Sequence, residues 1–304
     1  MVKDKKYLIV IVGPTAVGKT DLCINLGKIF KTEIISSDSR QFFKEMNLGT
    51  AKPSLDELKS VKHHLVNSHS IFEPYDVKAF EKDVLTILEN IFSSKDVAIM
   101  TGGSGLYIDA ICNGFDDIPD IDPTIRAGII KKFEEKGLTY LQDRVANIDP
   151  DYYEIVDKNN PQRLMRAIEV FDGTGHTFSS FRKRKKIERP FHIIKIGLER
   201  DREELYDRID HRMDLMIAKG LFEEAAELYP YKHLNALQTV GYSEIFGYLD
   251  GEYDKEEAVR LLKRNSRRYA KRQLTWFRKD ESIRWFLPNQ EKDILDFIKG
   301  HIAL

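Results

Sequence analysis

A glycine-rich octapeptide directly after an apolar run is the feature that most constrains how this chain folds. Residues 8–12 are all apolar, and residues 13–20 read Gly-Pro-Thr-Ala-Val-Gly-Lys-Thr. This pattern is typical of a buried strand that ends in a phosphate-binding P-loop and leads into a helix facing the bound anion. Lys19 supplies a point charge, and the Thr20 hydroxyl is placed for a metal ion or a phosphate. The octapeptide therefore predicts a site for adjacent phosphates, in a nucleoside triphosphate or in another diphosphate ester.

Polar or glycine-rich segments follow three predicted strands in the first third of the chain. The strands are 8–12, 33–37 and 96–100, and they are followed by the P-loop, by Asp38 and by residues 101–105. Helical patterns at about 20–30 and 77–92 separate them. Alternating strands and helices predict an α/β fold, a P-loop NTPase-like doubly wound parallel sheet whose ligands bind beyond the strand carboxyl ends. We therefore expect the three segments to surround one pocket.

The middle of the chain has no strand pattern and predicts a helical insertion domain at 116–188. Its helix-like pieces are 123–136, 138–146 and 160–171, separated by Pro, Asp and Gly. The catalytic core would then comprise residues 1–115 and 189–304. Its second part is predicted to contain strands at 191–197 and 283–286 and helices near 202–218, 221–228, 241–249, 254–278 and 291–300.

Composition is typical of an enzyme of the cytoplasm. The 304 residues, 42% hydrophobic and 11% aromatic, allow a sizeable core. Cys23 and Cys112 are far apart and lack metal-ligand spacing, which is typical of a reduced protein. No apolar run approaches the roughly 20 residues of a membrane span, and the first strand begins too early for a signal peptide. We expect a cytoplasmic monomer with no membrane partner.

Asp38 and the segment 101–107 carry side chains suited to chemistry at the mouth of the predicted pocket. The Asp38 carboxylate could accept a proton, bind a metal ion or cap the next helix, and the neighbouring Ser39, Arg40 and Gln41 favour a role in the pocket. The glycines of 101–105 allow close backbone approach to a ligand, although a tight strand-to-helix turn explains them almost as well. The strand at 96–100 ends without the aspartate that nucleotide hydrolases use for magnesium, which disfavours an ordinary ATPase.

Basic residues are concentrated near the carboxyl terminus. Nine lysines and arginines lie between 260 and 279 with no acid among them, mostly on one helical face, and a second run covers 182–186. Because the net charge is only −1, these two clusters favour a polyanion such as nucleic acid, although a solvated charged face is the simpler alternative. Arg208 and Arg212 lie one helical turn apart and are either surface charges or a grip on a leaving phosphate group.

Eight strings, taken in order, resemble the tRNA dimethylallyltransferase family, also called tRNA isopentenyltransferases. The resemblance covers nearly the whole chain. Asp-Ser-Arg-Gln (38–41) and Tyr-Ala-Lys-Arg-Gln-Leu-Thr-Trp-Phe-Arg (269–278) are far more specific than the P-loop (13–20), which many unrelated proteins share. The other strings are Gly-Thr-Ala-Lys-Pro (49–53), Gly-Gly-Ser-Gly-Leu-Tyr (102–107), Pro-Gln-Arg-Leu-Met-Arg-Ala-Ile-Glu-Val (161–170), Gly-Leu-Glu-Arg (197–200) and Val-Gly-Tyr (240–242).

The resemblance implies transfer of a dimethylallyl group from dimethylallyl diphosphate to N6 of adenosine 37 in tRNA. Asp38 would accept the N6 proton, and Lys19, Thr20 and Arg212 would stabilise the departing pyrophosphate together with Mg²⁺, which Thr20 would bind. Ser104 stands where the family has threonine, keeps the hydroxyl and would also take part in catalysis. Of the two arginines, Arg212 fits the family pattern better than Arg208. The diphosphate would be bound by Gly13, Thr15, Ala16, Val17, Gly18, Lys19, Thr20, Arg208 and Arg212.

The resemblance also implies a path for RNA. The acceptor adenine would flip out of its stack into the pocket, and the insertion would clasp the anticodon stem-loop. Arg40 replaces a small or apolar residue in some relatives. The residues expected to contact RNA are Asp38, Ser39, Arg40, Gln41, Ser104, Arg126, Gln162, Arg163, Arg166, Gln238, Gly241, Tyr242, Arg264, Arg268 and Lys271.

Three other functions compete with this interpretation. A small-molecule kinase would bind ATP with the same Lys19, Thr20 and Asp38, but it has no use for a basic helix. A related enzyme could prenylate free adenine nucleotides instead of RNA. A pure RNA-binding module has no use for a P-loop beside an acid.

Overall fold

The computed structural model describes residues 5–116, 118–182 and 187–302. The chain divides into two compact units, one formed by Met1–Cys112 with Glu188–Leu304 and the other by Asn113–Ile187. The sequence placed the inserted segment at 116–188. In the described part of the chain, no helix is both long and apolar enough to cross a lipid bilayer.

Six parallel strands form the sheet of the first unit, in the order β3-β2-β4-β1-β5-β6. Their bounds are β1 Tyr7–Val12, β2 Ile34–Ser36, β3 His63–His64, β4 Val97–Gly102, β5 His192–Leu198 and β6 Arg284–Phe286. All six residues of the central strand β1 are buried, as expected for a parallel strand covered on both faces. This topology confirms the predicted doubly wound parallel sheet.

The described helices agree with most of the predicted segments. In chain order they are α1 Lys19–Ile29, α2 Leu55–Ser60, α3 Val77–Phe92, α4 Gly105–Asn113, α5 Pro123–Ile148, α6 Pro150–Tyr153, α7 Pro161–Thr174, α8 Phe178–Phe181, α9 Arg202–Ala218, α10 Leu221–Leu228, α11 Ser243–Leu249, α12 Lys255–Phe277 and α13 Glu291–His301. The sequence analysis missed α2, α4, α6, α8 and the two-residue strand β3. For α2 a signal exists, because Ser54 and Glu57 form a reciprocal capping box at its start.

Two apolar layers cover the sheet of the first unit. Ile9 and Ile11 on one face of β1 pack with residues of α1, α9 and α13, whereas Leu8 and Val10 on the other face pack with residues of α3 and α4. Side chains alternate along a strand, so each layer receives every second residue of β1. The long helix α12 contributes to both layers, with Ala270 in the first and Phe277 in the second.

A third apolar cluster joins α9, α10, α11 and α12 to the segment 43–48. Met213, Leu221, Tyr242 and Leu262 are buried in it, together with Phe43. This cluster matters for function because it fixes α9 and α12, whose other residues line the pocket described below.

The second unit is a helical cluster built on α5 and α7. Gly137 interrupts α5 with φ 74° and ψ −171°, a backbone conformation that favours glycine, and therefore splits it where the sequence predicted two helices. Leu141 and Val145 of α5 pack against Leu164 and Ile168 of α7. The unit therefore has an apolar core of its own.

Candidate active site

A cavity of about 390 Å³ lies at the carboxyl ends of the strands in the first unit. Thr15–Thr20 of the P-loop line it, together with Asp38 after β2 and with Thr101 and Gly102 at the end of β4. The prediction that three segments surround one pocket is therefore confirmed. We call this space the P-loop cavity. Helix α9 forms another of its walls, with Arg208, His211, Arg212 and Leu215.

The P-loop passes close to the end of β5, and this explains its first glycine. Gly13 has φ +147°, and a Cβ atom on it would lie 2.5 Å from the carbonyl oxygen of Leu198. Gly18 also has a positive φ, +110°, directly before α1. Side chains are disfavoured at both positions, so glycine is required for the loop to turn into the helix.

Lys19 folds back over the loop that precedes it. Its Nζ donates to the carbonyl oxygens of Gly13 at 2.9 Å and of Pro14 at 2.8 Å. The pKa of Lys19 is lowered to about 8, mainly by burial; the Asp38 carboxylate opposes this shift and the charge of Arg212 adds to it. A bound anion would favour the charged form of this amine.

Arginines of α9 hold the other side of the P-loop. A guanidinium nitrogen of Arg212 donates to Thr15 Oγ1, and Arg208 Nε donates to the carbonyl oxygen of Ala16 at 2.9 Å. The structure therefore brings both predicted arginines to the loop, and both line the cavity. Burial lowers the pKa of Arg212, an effect that Asp38 opposes.

Arg200, at the end of the Gly-Leu-Glu-Arg string, also binds the P-loop and was missed as a site residue. Its Nε donates to the carbonyl oxygen of Val17 at 2.8 Å, and its guanidinium also pairs with Glu204. Arg208 and Arg200 thus donate to two successive carbonyl oxygens of the loop, those of Ala16 and Val17. The sequence signal for Arg200 was its position at the end of a string that resembles the family.

Asp38 lies in a tight turn that directs one carboxylate oxygen into the pocket. Its Oδ1 accepts the backbone N–H of Arg40 at 3.1 Å, and its own N–H donates to Ser36 Oγ at 3.4 Å. Within the described residues, Oδ2 has no hydrogen-bond partner and no helix begins at this turn. The carboxylate therefore caps a turn rather than a helix and keeps one oxygen for a ligand.

Ser104 acts on the neighbouring residue of this turn. Its Oγ accepts the backbone N–H of Ser39 at 3.0 Å and donates to Ser39 Oγ at 3.1 Å. Ser104 is not among the residues that line the P-loop cavity. In this structure the Ser104 hydroxyl positions the turn that carries Asp38, and its part in catalysis stays a prediction.

Gln41 connects the same turn to the segment 49–53. Its Oε1 accepts from Ser36 Oγ at 3.1 Å, and its Nε2 donates to the carbonyl oxygens of Thr50 at 3.4 Å and Ala51 at 3.3 Å. Both halves of the amide are used within the protein. In this structure Gln41 therefore shapes the wall of the cavity, which it also lines.

Gln273 of α12 is a buried residue of the site that the sequence analysis did not single out. Its side chain is 5% exposed and lines the P-loop cavity. Oε1 accepts the backbone N–H of Thr15 at 2.9 Å, and Nε2 donates to the carbonyl oxygen of Gly103 at 3.0 Å. The sequence contained a signal for Gln273, because a glutamine within the apolar stripe of a helix needs hydrogen-bond partners when it is buried.

A smaller cavity of about 80 Å³ adjoins the P-loop cavity and shares Thr15, Asp38 and Arg212 with it. Its remaining lining is more apolar, with Ile209, Met213 and Met216 of α9, and it includes Arg40 and Tyr269. Burial raises the pKa of Tyr269 to about 12, and the Asp38 carboxylate adds to the effect. Asp38 thus borders two spaces of different chemical character.

The residues present fit a magnesium ion held mainly by a diphosphate. Thr20 lines the P-loop cavity, and its hydroxyl has no hydrogen-bond partner within the described part of the chain. The same part contains no cluster of three His, Cys, Asp or Glu side chains suited to a metal ion. Because Mg²⁺ commonly binds substrate phosphates through one or two protein ligands, this donor set is sufficient.

The basic face of α12 is divided in two. Ion pairs join Arg260 to Glu257, Lys263 to Asp214, Arg267 to Asp210 and Arg278 to Glu199. Four of the nine positive charges are therefore paired, one with Glu257 of α12 itself and three with acids from elsewhere in the first unit. The described residues contain no ion pair for Arg264, Arg268, Lys271, Arg272 or Lys279, so the predicted RNA-binding residues lie on the unpaired side.

The residues between 238 and 242 that were predicted to contact RNA differ in their exposure to solvent. Gln238 is exposed, whereas Tyr242 is fully buried and donates from its hydroxyl to Glu224 Oε1 at 2.7 Å. The prediction that the Tyr242 side chain contacts RNA does not hold in this structure, because the ring packs against Gly49 and has no solvent-facing surface. Gly241 is likewise buried, and its N–H donates to Glu244 at 2.9 Å.

In the second unit, three of the predicted RNA-contacting side chains form a network. Arg126 and Arg166 both pair with Glu169 at 3.2 Å, and Arg126 also donates to Gln162. Arg163 is exposed on the same helix, α7. Of the basic run at 182–186, residues 183–186 lie outside the described residues.

Comparison with known proteins decides the family. A family model described as IPP transferase matches residues 41–280. The chain belongs to the IPP transferase family. A tRNA dimethylallyltransferase of Christiangramia forsetii is 54% identical, covering 97% of this chain and 98% of the relative. A second relative, tRNA dimethylallyltransferase 1 of Bacteroides fragilis, is 49% identical, and the match covers 98% of this chain and 99% of the relative.

Solved structures of IPP transferases share the fold. A tRNA isopentenylpyrophosphate transferase of Bacillus halodurans is 36% identical with a TM-score of 0.72, covering 98% of this chain and 97% of that one. A eukaryotic dimethylallyltransferase acting on tRNA is 28% identical with a TM-score of 0.74, covering 90% of this chain and 70% of that one. These similarities confirm the family resemblance drawn from the eight strings.

Proposed function

We propose that this IPP transferase transfers the dimethylallyl group of dimethylallyl diphosphate to N6 of adenosine 37 in tRNA and releases pyrophosphate. The observation that carries the proposal is the position of Asp38, which borders both the P-loop cavity and the smaller, more apolar cavity. A single carboxylate can there meet a nucleophile entering from one side and an allylic diphosphate held on the other. The family and the names of its relatives support tRNA as the acceptor.

The P-loop would bind the diphosphate. Residues 15–20 of the loop, Lys19 among them, and the two arginines of α9 line one cavity, where these cations would supply positive charge to both phosphates. Negative charge accumulates on the diphosphate as the allylic C–O bond breaks, and preorganised cations stabilise that charge more than the ground state. Thr20 would hold Mg²⁺ together with the diphosphate, and the ion would neutralise part of the same charge.

Asp38 would act as the general base. N6 of adenine forms a bond to the allylic carbon, the C–O bond breaks, and pyrophosphate leaves with the bonding electron pair. The N6 proton passes to the Asp38 carboxylate, whose Oδ2 is not engaged by the described residues. The turn that carries Asp38 is fixed by Ser36 and by the Ser104–Ser39 contacts, so the base is held in place.

The acceptor adenine must leave the stack of the anticodon loop to reach this carboxylate. The unpaired basic residues of α12 are suited to the phosphates of the RNA, and in the second unit the exposed Arg163 and the Arg126 and Arg166 network are suited to the anticodon stem-loop. We propose that the protein acts on tRNA as a monomer.

The test is incubation of the purified protein with dimethylallyl diphosphate, Mg²⁺ and total tRNA, followed by digestion to nucleosides and mass analysis. We expect an adenosine heavier by one isoprenyl unit. ATP turnover without tRNA would instead support a small-molecule kinase. Prenylation of AMP in preference to an anticodon stem-loop would support an enzyme acting on free nucleotides.

A further inference from the structure

Arg40 is a charged residue that lines the smaller cavity. It is half-buried, and none of the hydrogen bonds or ion pairs among the described residues involves its guanidinium. Its backbone N–H donates to Asp38 Oδ1 at 3.1 Å, so its side chain leaves the turn beside the carboxylate. A guanidinium carries five N–H donors, and burying them without acceptors is costly unless a ligand supplies acceptors.

The positive charges around Asp38 are divided between the two cavities. Lys19, Arg212 and Arg40 all interact electrostatically with its carboxylate. Lys19 lines only the P-loop cavity, where the diphosphate would bind, Arg212 lines both cavities, and Arg40 lines only the smaller cavity. Arg40 is therefore placed to act on the acceptor rather than on the diphosphate.

The hydrogen-bonding groups of adenine match the side chains of Asp38 and Arg40. Its N6 amino group is a donor that lies next to a ring-nitrogen acceptor on either side, N1 on one edge and N7 on the other. A carboxylate beside a guanidinium offers the complementary acceptor and donor. Guanine and uracil present a carbonyl oxygen at the corresponding position and would face the carboxylate with a second acceptor.

We propose that Arg40 donates a hydrogen bond to N1 or N7 of the acceptor adenine while Asp38 accepts from the N6 amino group. The two side chains then read one edge of the flipped base, and Arg40 is a specificity-determining residue. This inference rests on the proposed prenyl transfer, and it gives the unpartnered guanidinium a ligand of defined chemistry.

The experiment combines base analogues with a variant. Anticodon stem-loop RNAs carrying adenosine, 1-deazaadenosine or 7-deazaadenosine at the acceptor position are compared as substrates, because each analogue removes one ring nitrogen. The proteins are wild type, Arg40→Met, which keeps length without donors, and Arg202→Met, an exposed control on α9 that lines neither cavity. Initial rates give kcat/KM for each combination of protein and RNA.

We expect one analogue to lower the kcat/KM of wild type and of Arg202→Met by about tenfold. Arg40→Met should lose a similar factor on adenosine and be insensitive to that analogue. The dissociation constant of pyrophosphate should change less than about twofold, as Arg40 does not line the P-loop cavity. If Arg40→Met keeps the full analogue effect, or if neither analogue affects wild type, Arg40 does not read the base. If wild type prenylates no RNA, the proposed function fails as well.

Discussion

Oε1 of Gln273 accepts the backbone N–H of Thr15 at 2.9 Å, so helix α12 holds the P-loop directly. The other half of the same amide binds the carbonyl oxygen of Gly103 at 3.0 Å. One buried side chain therefore ties together two of the loops that surround the P-loop cavity. It lies on the helix whose unpaired basic residues are predicted to contact RNA.

We expect Gln273→Leu to reduce the affinity for dimethylallyl diphosphate about tenfold and to lower the free energy of unfolding by about 1–3 kcal/mol. The Thr15 N–H and the Gly103 carbonyl would both stay buried without a partner. KM for dimethylallyl diphosphate and urea denaturation measure the two effects. Thr275→Val, on the exposed side of the same helix, is the control. A stable Gln273→Leu protein with wild-type KM would show that the bridge is dispensable.

Replacing Asp38 tests the general base. Asp38→Asn should lower kcat by about 10²–10⁴-fold while tRNA binding is retained, because the amide keeps the shape of the side chain but cannot take the N6 proton at neutral pH. Single-turnover transfer and filter binding measure the two quantities. Asp207→Asn, an exposed position on α9, is the control. Unchanged turnover would remove Asp38 from the role of base.

The lowered pKa of Lys19 predicts a pH dependence of diphosphate binding. The amine of the free protein loses its proton near pH 8, whereas a bound anion favours the charged form, so binding must take up a proton above that pH. Affinity for pyrophosphate should therefore fall as pH rises from about 8 to 10.

Pyrophosphate itself titrates in this range, so the measured quantity is the ratio of dissociation constants for wild type and Lys19→Met. Calorimetry in two buffers of different ionisation enthalpy also reports the proton uptake. A ratio that does not change between pH 7 and pH 10 would contradict the assignment.

Charge reversal on the unpaired side of α12 tests the RNA surface. The triple variant Arg264→Glu, Arg268→Glu and Lys271→Glu should weaken tRNA binding and flatten its dependence on salt, because phosphate neutralisation releases counterions. A triple variant with the same charge change at Arg260, Lys263 and Arg267, which are already ion-paired, should alter the salt slope less. Equal slopes for the two variants would place the RNA elsewhere.

Tyr242→Phe tests the structural role that burial gives this residue. Loss of the 2.7 Å hydrogen bond to Glu224 should lower the free energy of unfolding by about 1 kcal/mol, and tRNA affinity should stay within about twofold. Thermal or urea unfolding and a binding titration check both statements. Weakened tRNA binding in a fully stable Tyr242→Phe protein would restore the RNA contact that the sequence predicted.

The P-loop, the acid after β2 and the glycine turn after β4 could be located from the sequence because each depends on local patterns. An apolar run marks a parallel strand, and the carboxyl ends of parallel strands share one edge of the sheet. The kink of α5 at Gly137 was similarly predictable, since glycine interrupts a helical pattern. By contrast, α4 was missed because its start overlaps the glycine turn, and β3 has only two residues.

Side-chain partners distant in sequence could not be predicted in this way. The pairing of Lys263 with Asp214 and of Arg267 with Asp210 depends on α9 and α12 packing side by side. The same holds for Tyr242, which is the last residue of the Val-Gly-Tyr string yet lies buried in an apolar cluster. Helical periodicity identifies which residues share a face, but it does not identify the neighbouring element that covers this face.

The sequence alone determined the parallel α/β architecture, the position of the glycine-rich loop after β1 and the family, because these depend on periodicity and on short strings of fixed spacing. The tertiary structure alone decided which charges are neutralised and that Gln273 joins two loops. It also decided that Arg40 lines the smaller cavity beside Asp38, with a guanidinium that makes no hydrogen bond or ion pair among the described residues. The physical reason is that hydrogen bonding, desolvation and ion pairing act through space, between side chains that the fold brings within a few ångströms of each other.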